Sequence, residues 1–91
     1  MIDVKDAFES AKKYFKDMYG ESIQGVALEE VELSDDESYW YITIGYMDSS
    51  QLVGPTGYQF SPFGPGRAYK IFKIDANNGK VMSMKVRNIS K

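Results

Sequence analysis

The 91-residue sequence contains no cysteine and no histidine. Without cysteine the chain can form neither a disulfide nor a thiolate metal site. Without histidine it lacks the commonest general base and the commonest transition-metal ligand, and serine–histidine catalysis is excluded. No grouping of carboxylate, lysine or tyrosine residues indicates another chemistry. We therefore expect a non-enzymatic protein without cofactor or metal.

Long apolar runs are also missing, as is a basic, apolar leader. No run approaches the 18 apolar residues of a membrane span, and the first ten residues, MIDVKDAFES, lack the pattern of a signal peptide. The net charge of −2 gives the whole molecule no attraction to nucleic acid or to an anionic membrane. These features predict a cytoplasmic protein that does not contact membranes.

The remaining sequence has the length and the periodicity of a single domain, 1–91. Apolar residues recur at helical spacing from Val4 to Met18, which predicts an amphipathic helix at about 3–19. Asp3 is placed to cap its start and Gly20 to end it. Alternating apolar residues predict four strands, at about 25–33, 39–47, 67–75 and 80–88.

The strands are expected to pair as two hairpins. The apolar positions of the first strand change phase, which predicts a β-bulge near Glu29–Glu30. The turn residues Asp35 to Ser38 join the first hairpin, and Asn78–Gly79, which tolerate positive φ, join the second. The order helix, hairpin, long loop, hairpin predicts an α+β fold, with one helix on a four-stranded antiparallel sheet.

The last hairpin, AYKIFKIDANNGKVMSM, resembles the final hairpin of PepSY-type domains. In both, a strand ends in a hydrophobic residue and an aspartate (here Ile74–Asp75), a turn contains glycine (Gly79), and the next strand begins with valine (Val81). The helix and the stretch LEEVELSDDESYWYITIGY fit the same order of elements, and similar stretches occur in small uncharacterised bacterial proteins. The resemblance implies a PepSY- or cystatin-like module that binds or inhibits a protein.

The long loop at 48–66 is the first candidate binding segment. Its stretch from Ser49 to Gly66 has no charged residue and contains all three prolines of the chain. Long loops of this kind are usually functional or disordered, and aromatic residues anchor interfaces. Two interpretations are open for its aromatic residues: they bind a protein partner, or they fold back over the end of the sheet. These residues are Tyr58, Phe60 and Phe63.

The second candidate binding surface is the aromatic face of the second strand. Trp40 and Ile42 alternate with Tyr39 and Tyr41, so a helix over the Trp40 face leaves the two tyrosines exposed. Tyr39 and Tyr41 then form either a surface for a protein partner or a second copy, or an ordinary half-exposed sheet face. Pairing of two copies through an edge strand is a further alternative.

The charges are sorted along the chain. Residues 21–48 carry eight acids and no base, whereas residues 67–91 carry seven bases and one acid. The basic hairpin could bind nucleic acid, with Tyr69 and Phe72 as stacking aromatics. We expect instead that the acidic and basic hairpins pair their charges across one sheet, since the net charge is negative. The basic positions are Arg67, Lys70, Lys73, Lys80, Lys85 and Arg87.

Overall fold

The computed structural model describes residues 1–48 and 68–87. Its elements, in chain order, are α1 (Val4–Tyr19), a short 3-10 turn (Gly20–Ser22), β1 (Ile23–Leu33), β2 (Tyr39–Asp48), β3 (Ala68–Asp75) and β4 (Val81–Val86). The strands form one antiparallel sheet in the order β1-β2-β3-β4, and α1 packs on one of its faces. The predicted α+β fold, with one helix on a four-stranded antiparallel sheet, is confirmed.

The helix begins after Asp3 and ends before Gly20, as these two residues predict. The Asp3 carboxylate accepts a hydrogen bond from the backbone N–H of Asp6 at 2.9 Å. At the other end Gly20 adopts φ +63° and ψ −138°, a conformation that favours glycine, and its N–H bonds to the Lys16 carbonyl. The apolar stripe is shorter than expected, because Met18 is 61% exposed.

The core lies between α1 and the two central strands. The Phe15 ring is fully buried and makes edge-on contacts with Tyr46, Phe72 and Tyr19, at centroid distances of 4.8, 5.6 and 5.0 Å. Such aromatic pairs add to the free energy of area burial. The fully buried residues around Phe15 come from the helix and from β2 and β3: Ala7, Ala11, Ile42, Ile44, Phe72 and Ile74.

The phase change in β1 is a β-bulge, as predicted. Leu28 pairs with Ile44 and Glu30 pairs with Thr43, so Glu29 is the extra residue. A second irregularity lies between Gln24 and Ala27, where Gly25 has φ +63°. The two bulges return the apolar residues of β1 to the helix side of the sheet, although Leu28 remains 42% exposed at the edge.

The two tight turns and the N-terminus meet at one end of the sheet. The backbone of Ala76 donates to the Ser38 carbonyl at 2.9 Å and accepts from the Ile2 N–H at 2.7 Å. The indole N–H of Trp40 also donates to the Ile2 carbonyl, at 3.1 Å. The 75–80 turn has positive φ at Gly79 and not at Asn78, because the Asp75 carboxylate caps a longer loop than the two-residue turn we expected.

The acidic turn is organised around one carboxylate. Asp36 accepts hydrogen bonds from the Ser34 hydroxyl at 2.8 Å and from the Ser38 N–H at 3.0 Å. These two bonds, the serine hydroxyl first, hold the pKa of Asp36 below its ordinary value because they favour the ionised form. The next residue, Glu37, has φ +61°, which is costly for a side chain with a Cβ.

We expect Phe15→Ala to lower the free energy of unfolding by about 3–5 kcal/mol, a large part of the stability of a chain of this size. The ring fills the space between α1 and both central strands, and no neighbour can replace its contacts. Urea unfolding followed by the fluorescence of the single tryptophan measures the loss. Met18→Ala is the control and should change stability by less than about 0.5 kcal/mol. Equal losses in the two variants would contradict this assignment of the core.

We expect Glu37→Gly to raise the free energy of unfolding by about 0.5–1 kcal/mol, since glycine removes the steric cost of the left-handed backbone. Thermal unfolding at neutral pH measures the gain. Asp35→Gly is the matched control, because Asp35 lies in the same turn at negative φ. That variant should be destabilised, and a gain in both would show that the strain at Glu37 is not the cause.

Candidate functional face of the sheet

The face of the sheet opposite α1 is called here the open face. Strand register places Tyr41 beside Lys73 and Thr43 beside Ile71, and the same rows continue onto the two edge strands. In the described part of the chain no helix or strand packs against this face. Its members are Glu30, Glu32, Tyr39, Tyr41, Thr43, Tyr69, Ile71, Lys73, Ser83 and Lys85, together with Arg87 just after β4.

Arg87 reaches across the open face from one edge of the sheet to the other. Its Nη1 donates to the Glu30 carboxylate and, at 3.0 Å, to the Thr43 hydroxyl. Thr43 is only 1% exposed although α1 lies on the other face of the sheet, because the arginine side chain lies over it. The expected pairing between the acidic and the basic hairpin is confirmed for this one pair, whose carboxylate remains largely exposed.

Two adjoining hollows of opposite charge lie on the open face and share Tyr41 and Ile71. The acidic hollow, of about 300 Å³, lies beside β1 and is lined by Glu30, Val31, Glu32, Tyr41, Thr43, Ile71 and Arg87. The basic hollow, of about 290 Å³, lies beside β4 and is lined by Tyr41, Ile71, Lys73, Ser83 and Lys85. The open face is therefore divided by charge, with tyrosine and isoleucine at the division.

Within the basic hollow, Lys73 contacts an aromatic ring and no carboxylate. Its Nζ lies 4.2 Å from the centroid of the Tyr39 ring, which is cation–π geometry. Across the described residues, neither Lys73 nor Lys85 forms an ion pair. These two ammonium groups are available to an anionic group from outside the chain.

The structure places two of the five predicted binding residues. Tyr39 and Tyr41 are half-buried on the open face, as the alternation with Trp40 predicts. Tyr58, Phe60 and Phe63 lie outside the described residues. Sequence reasoning missed Glu30, Glu32 and Lys85 as parts of one face. The alternation of apolar and acidic residues after the β1 bulge could have predicted part of this face, since it assigns both glutamates to the side away from Leu33.

The predicted nucleic-acid strip is not continuous. Phe72 is fully buried in the core and cannot stack on a base, so its assignment as a stacking residue is wrong. Lys70 is 8% exposed and lies on the helix side, with its Nζ 5.5 Å from the Tyr19 ring centroid. Arg87 is engaged with Glu30. Adjacent residues of a strand point to opposite faces, which separates Lys70 from Lys73.

Both edge strands are interrupted by bulges. β1 has two irregularities, and β4 has one where Lys73 pairs with Ser83 and Ile74 pairs with Val81. Bulges twist an edge away from the flat geometry that another strand needs. This feature disfavours the alternative in which two copies pair edge to edge into a continuous sheet.

Comparison of the chain with family models, curated proteins and solved structures found no significant match. The PepSY resemblance therefore stays a prediction. Over residues 1–48 and 68–87, no helix has the length and apolar character to cross a membrane. In those same residues, no three carboxylates converge as they would around a metal ion.

We expect Arg87→Ala to lower the free energy of unfolding by about 1 kcal/mol, because the variant loses a hydrogen bond to Thr43 and the cover over it. Glu30→Gln should cost less than about 0.5 kcal/mol, since it removes only the charge of an exposed partner. Urea unfolding of both variants gives the comparison. A larger loss in the glutamate variant would mean that the ion pair, and not the cover over Thr43, stabilises this face.

Proposed function

We propose that this protein is a small non-enzymatic module that binds a protein partner, acting in the cytoplasm as an inhibitor- or immunity-type factor. The observation that carries the proposal is the open face, which presents Tyr41 between two hollows of opposite charge. Tyrosine supplies contact area at low entropic cost, and sorted charges give specificity and orientation to an interface.

The loop at 49–66 supports the proposal from the sequence. It follows β2 and precedes β3, whose residues form the middle of the open face. Its prolines limit the conformations of the free chain, which lowers the entropic cost of binding. Tyr58, Phe60 and Phe63 are proposed as the second set of contacts to the partner.

Nucleic acid is a poorer candidate ligand for the open face. A strand of phosphates needs a row of cations, and here Glu30 and Glu32 lie on the same face as Lys73 and Lys85. The carboxylates repel phosphate, whereas a protein surface can present a charge of either sign. The mixed charge therefore favours a protein partner.

The test is a tagged pull-down from the native host, in which two variants are compared with the wild-type chain. The first variant carries Tyr58→Ala, Phe60→Ala and Phe63→Ala, and the second carries Tyr41→Ala. We expect the wild-type chain to capture one specific protein that both variants lose, because each removes aromatic contact area worth about 2 kcal/mol or more at an interface centre.

Two controls make this pull-down decisive. Met18→Ala truncates an exposed apolar side chain on the helix side and should retain the partner. Tryptophan fluorescence and circular dichroism should show that the alanine variants remain folded. Retention of the partner by both folded variants would remove the open face and the loop from the proposal. Unfolding of the triple variant would show that the loop aromatics belong to the core.

A further inference from the structure

We infer that the open face packs against the open face of a second copy of this chain, about a two-fold axis parallel to the strands. The inference rests on the proposed function in one respect: it takes the open face as a protein contact surface and names one occupant. The loop at 49–66 is not part of it. Three features support it: the charge pattern of the face, the distance that its charged side chains can span, and its area.

The charge pattern makes the open face complementary to itself. Glu30 and Glu32 lie towards the β1 edge, and Lys73 and Lys85 lie towards the β4 edge. A two-fold axis that runs parallel to the strands, midway between two stacked faces, exchanges the edges of the sheet. The acidic hollow of each copy then lies opposite the basic hollow of the other. An axis perpendicular to the strands would instead place glutamate against glutamate.

The distances suit ion pairs between the two copies. Sheets that stack face to face lie about 10 Å apart, a gap that extended lysine and glutamate side chains span together. Strand register puts Glu32 in the row of Tyr41, Lys73 and Ser83. The rotation carries Glu32 over the partner copy's Ser83, between two lysines. Those lysines have no carboxylate partner within the described residues, and neither does Glu32.

The middle of the open face supplies the contacts between the two copies that are not ion pairs. Tyr41 and Ile71 lie on the two central strands and border both hollows, so the symmetry axis passes beside them. The rotation brings Tyr41 of one copy over Lys73 of the other, where a tyrosine ring can receive an ammonium group as Tyr39 already does. The centre is thus amphipathic, as protein interfaces commonly are.

The area of the open face sets the strength of the dimer. Four strands about 4.8 Å apart, with about seven residues each at a rise of about 3.3 Å, cover roughly 400 Å² per copy. A total of roughly 800 Å² lies below the roughly 1,200–2,000 Å² of stable specific interfaces, so the dimer is a weak, reversible one. We expect a dissociation constant in the micromolar range or above, and weaker association at high salt because charges orient the contact.

The experiment is charge reversal with compensation, measured by sedimentation velocity of the full chain from micromolar to millimolar concentration. Lys85→Glu and Glu32→Lys are the two variants, because neither disturbs the Glu30–Arg87 pair or the contact of Lys73 with Tyr39. Each variant alone should associate at least about tenfold more weakly than the wild-type chain, since two like-charge contacts arise per dimer. The equimolar mixture should associate several-fold more tightly than either variant alone, because in one of its two halves Glu30 and Glu32 again meet Lys73 and Lys85.

Lys5→Glu is the matched control, since it makes the same change of charge on the exposed side of α1. It should leave self-association unchanged. A wild-type chain that stays monomeric at millimolar concentration would overturn the inference, as would a mixture that associates no better than the separate variants. A monomeric wild-type chain that still captures a partner in the pull-down would remove this inference alone and leave the proposed function standing.

Discussion

The contact of Phe15 with the two central strands is the interaction on which the rest of the structure depends. Within residues 1–48 and 68–87 one helix covers a sheet of four strands, and that helix can bury only one face. Phe15 touches Tyr46 on β2 and Phe72 on β3, so a single ring fixes α1 over the middle of the sheet. The side chains towards β1 then receive less cover, as the 43% exposure of Val31 shows.

A single core layer requires that the opposite face remain stable without a covering element. In the part of the chain that the structure describes, side chains meet this requirement, because Arg87 lies over Thr43 and Lys73 lies against Tyr39. In both arrangements the charged end of a long cationic side chain contacts a hydroxyl group or an aromatic ring. A face built in this way can bind a partner, because the groups on its surface are already charged or amphipathic.

The spacing of polar and apolar residues within single elements allowed much of the fold to be predicted from the sequence. The cap at Asp3, the bulge at Glu29 and the opposite faces of Trp40 and Tyr41 all follow from spacing. The exposed position of Met18 and the Arg87–Glu30 contact could not be predicted, because they depend on how the helix lies on the sheet and on which strands are neighbours. Packing between the elements determines both the position of the helix and the order of the strands.

The separation of acidic and basic residues along the sequence can be interpreted only once the strand order is known. An acidic hairpin followed by a basic one suggests simple neutralisation, with every acid beside a base. In the order β1-β2-β3-β4, however, the glutamates of β1 and the lysine of β4 are separated by two strands, and Arg87 crosses that distance to reach Glu30. Glu32 and Lys85 are consequently left on opposite sides of Tyr41. The open face thus carries separated opposite charges on either side of an aromatic centre. Such a face selects the orientation of the molecule that binds it, because a partner in the reversed orientation meets like charges.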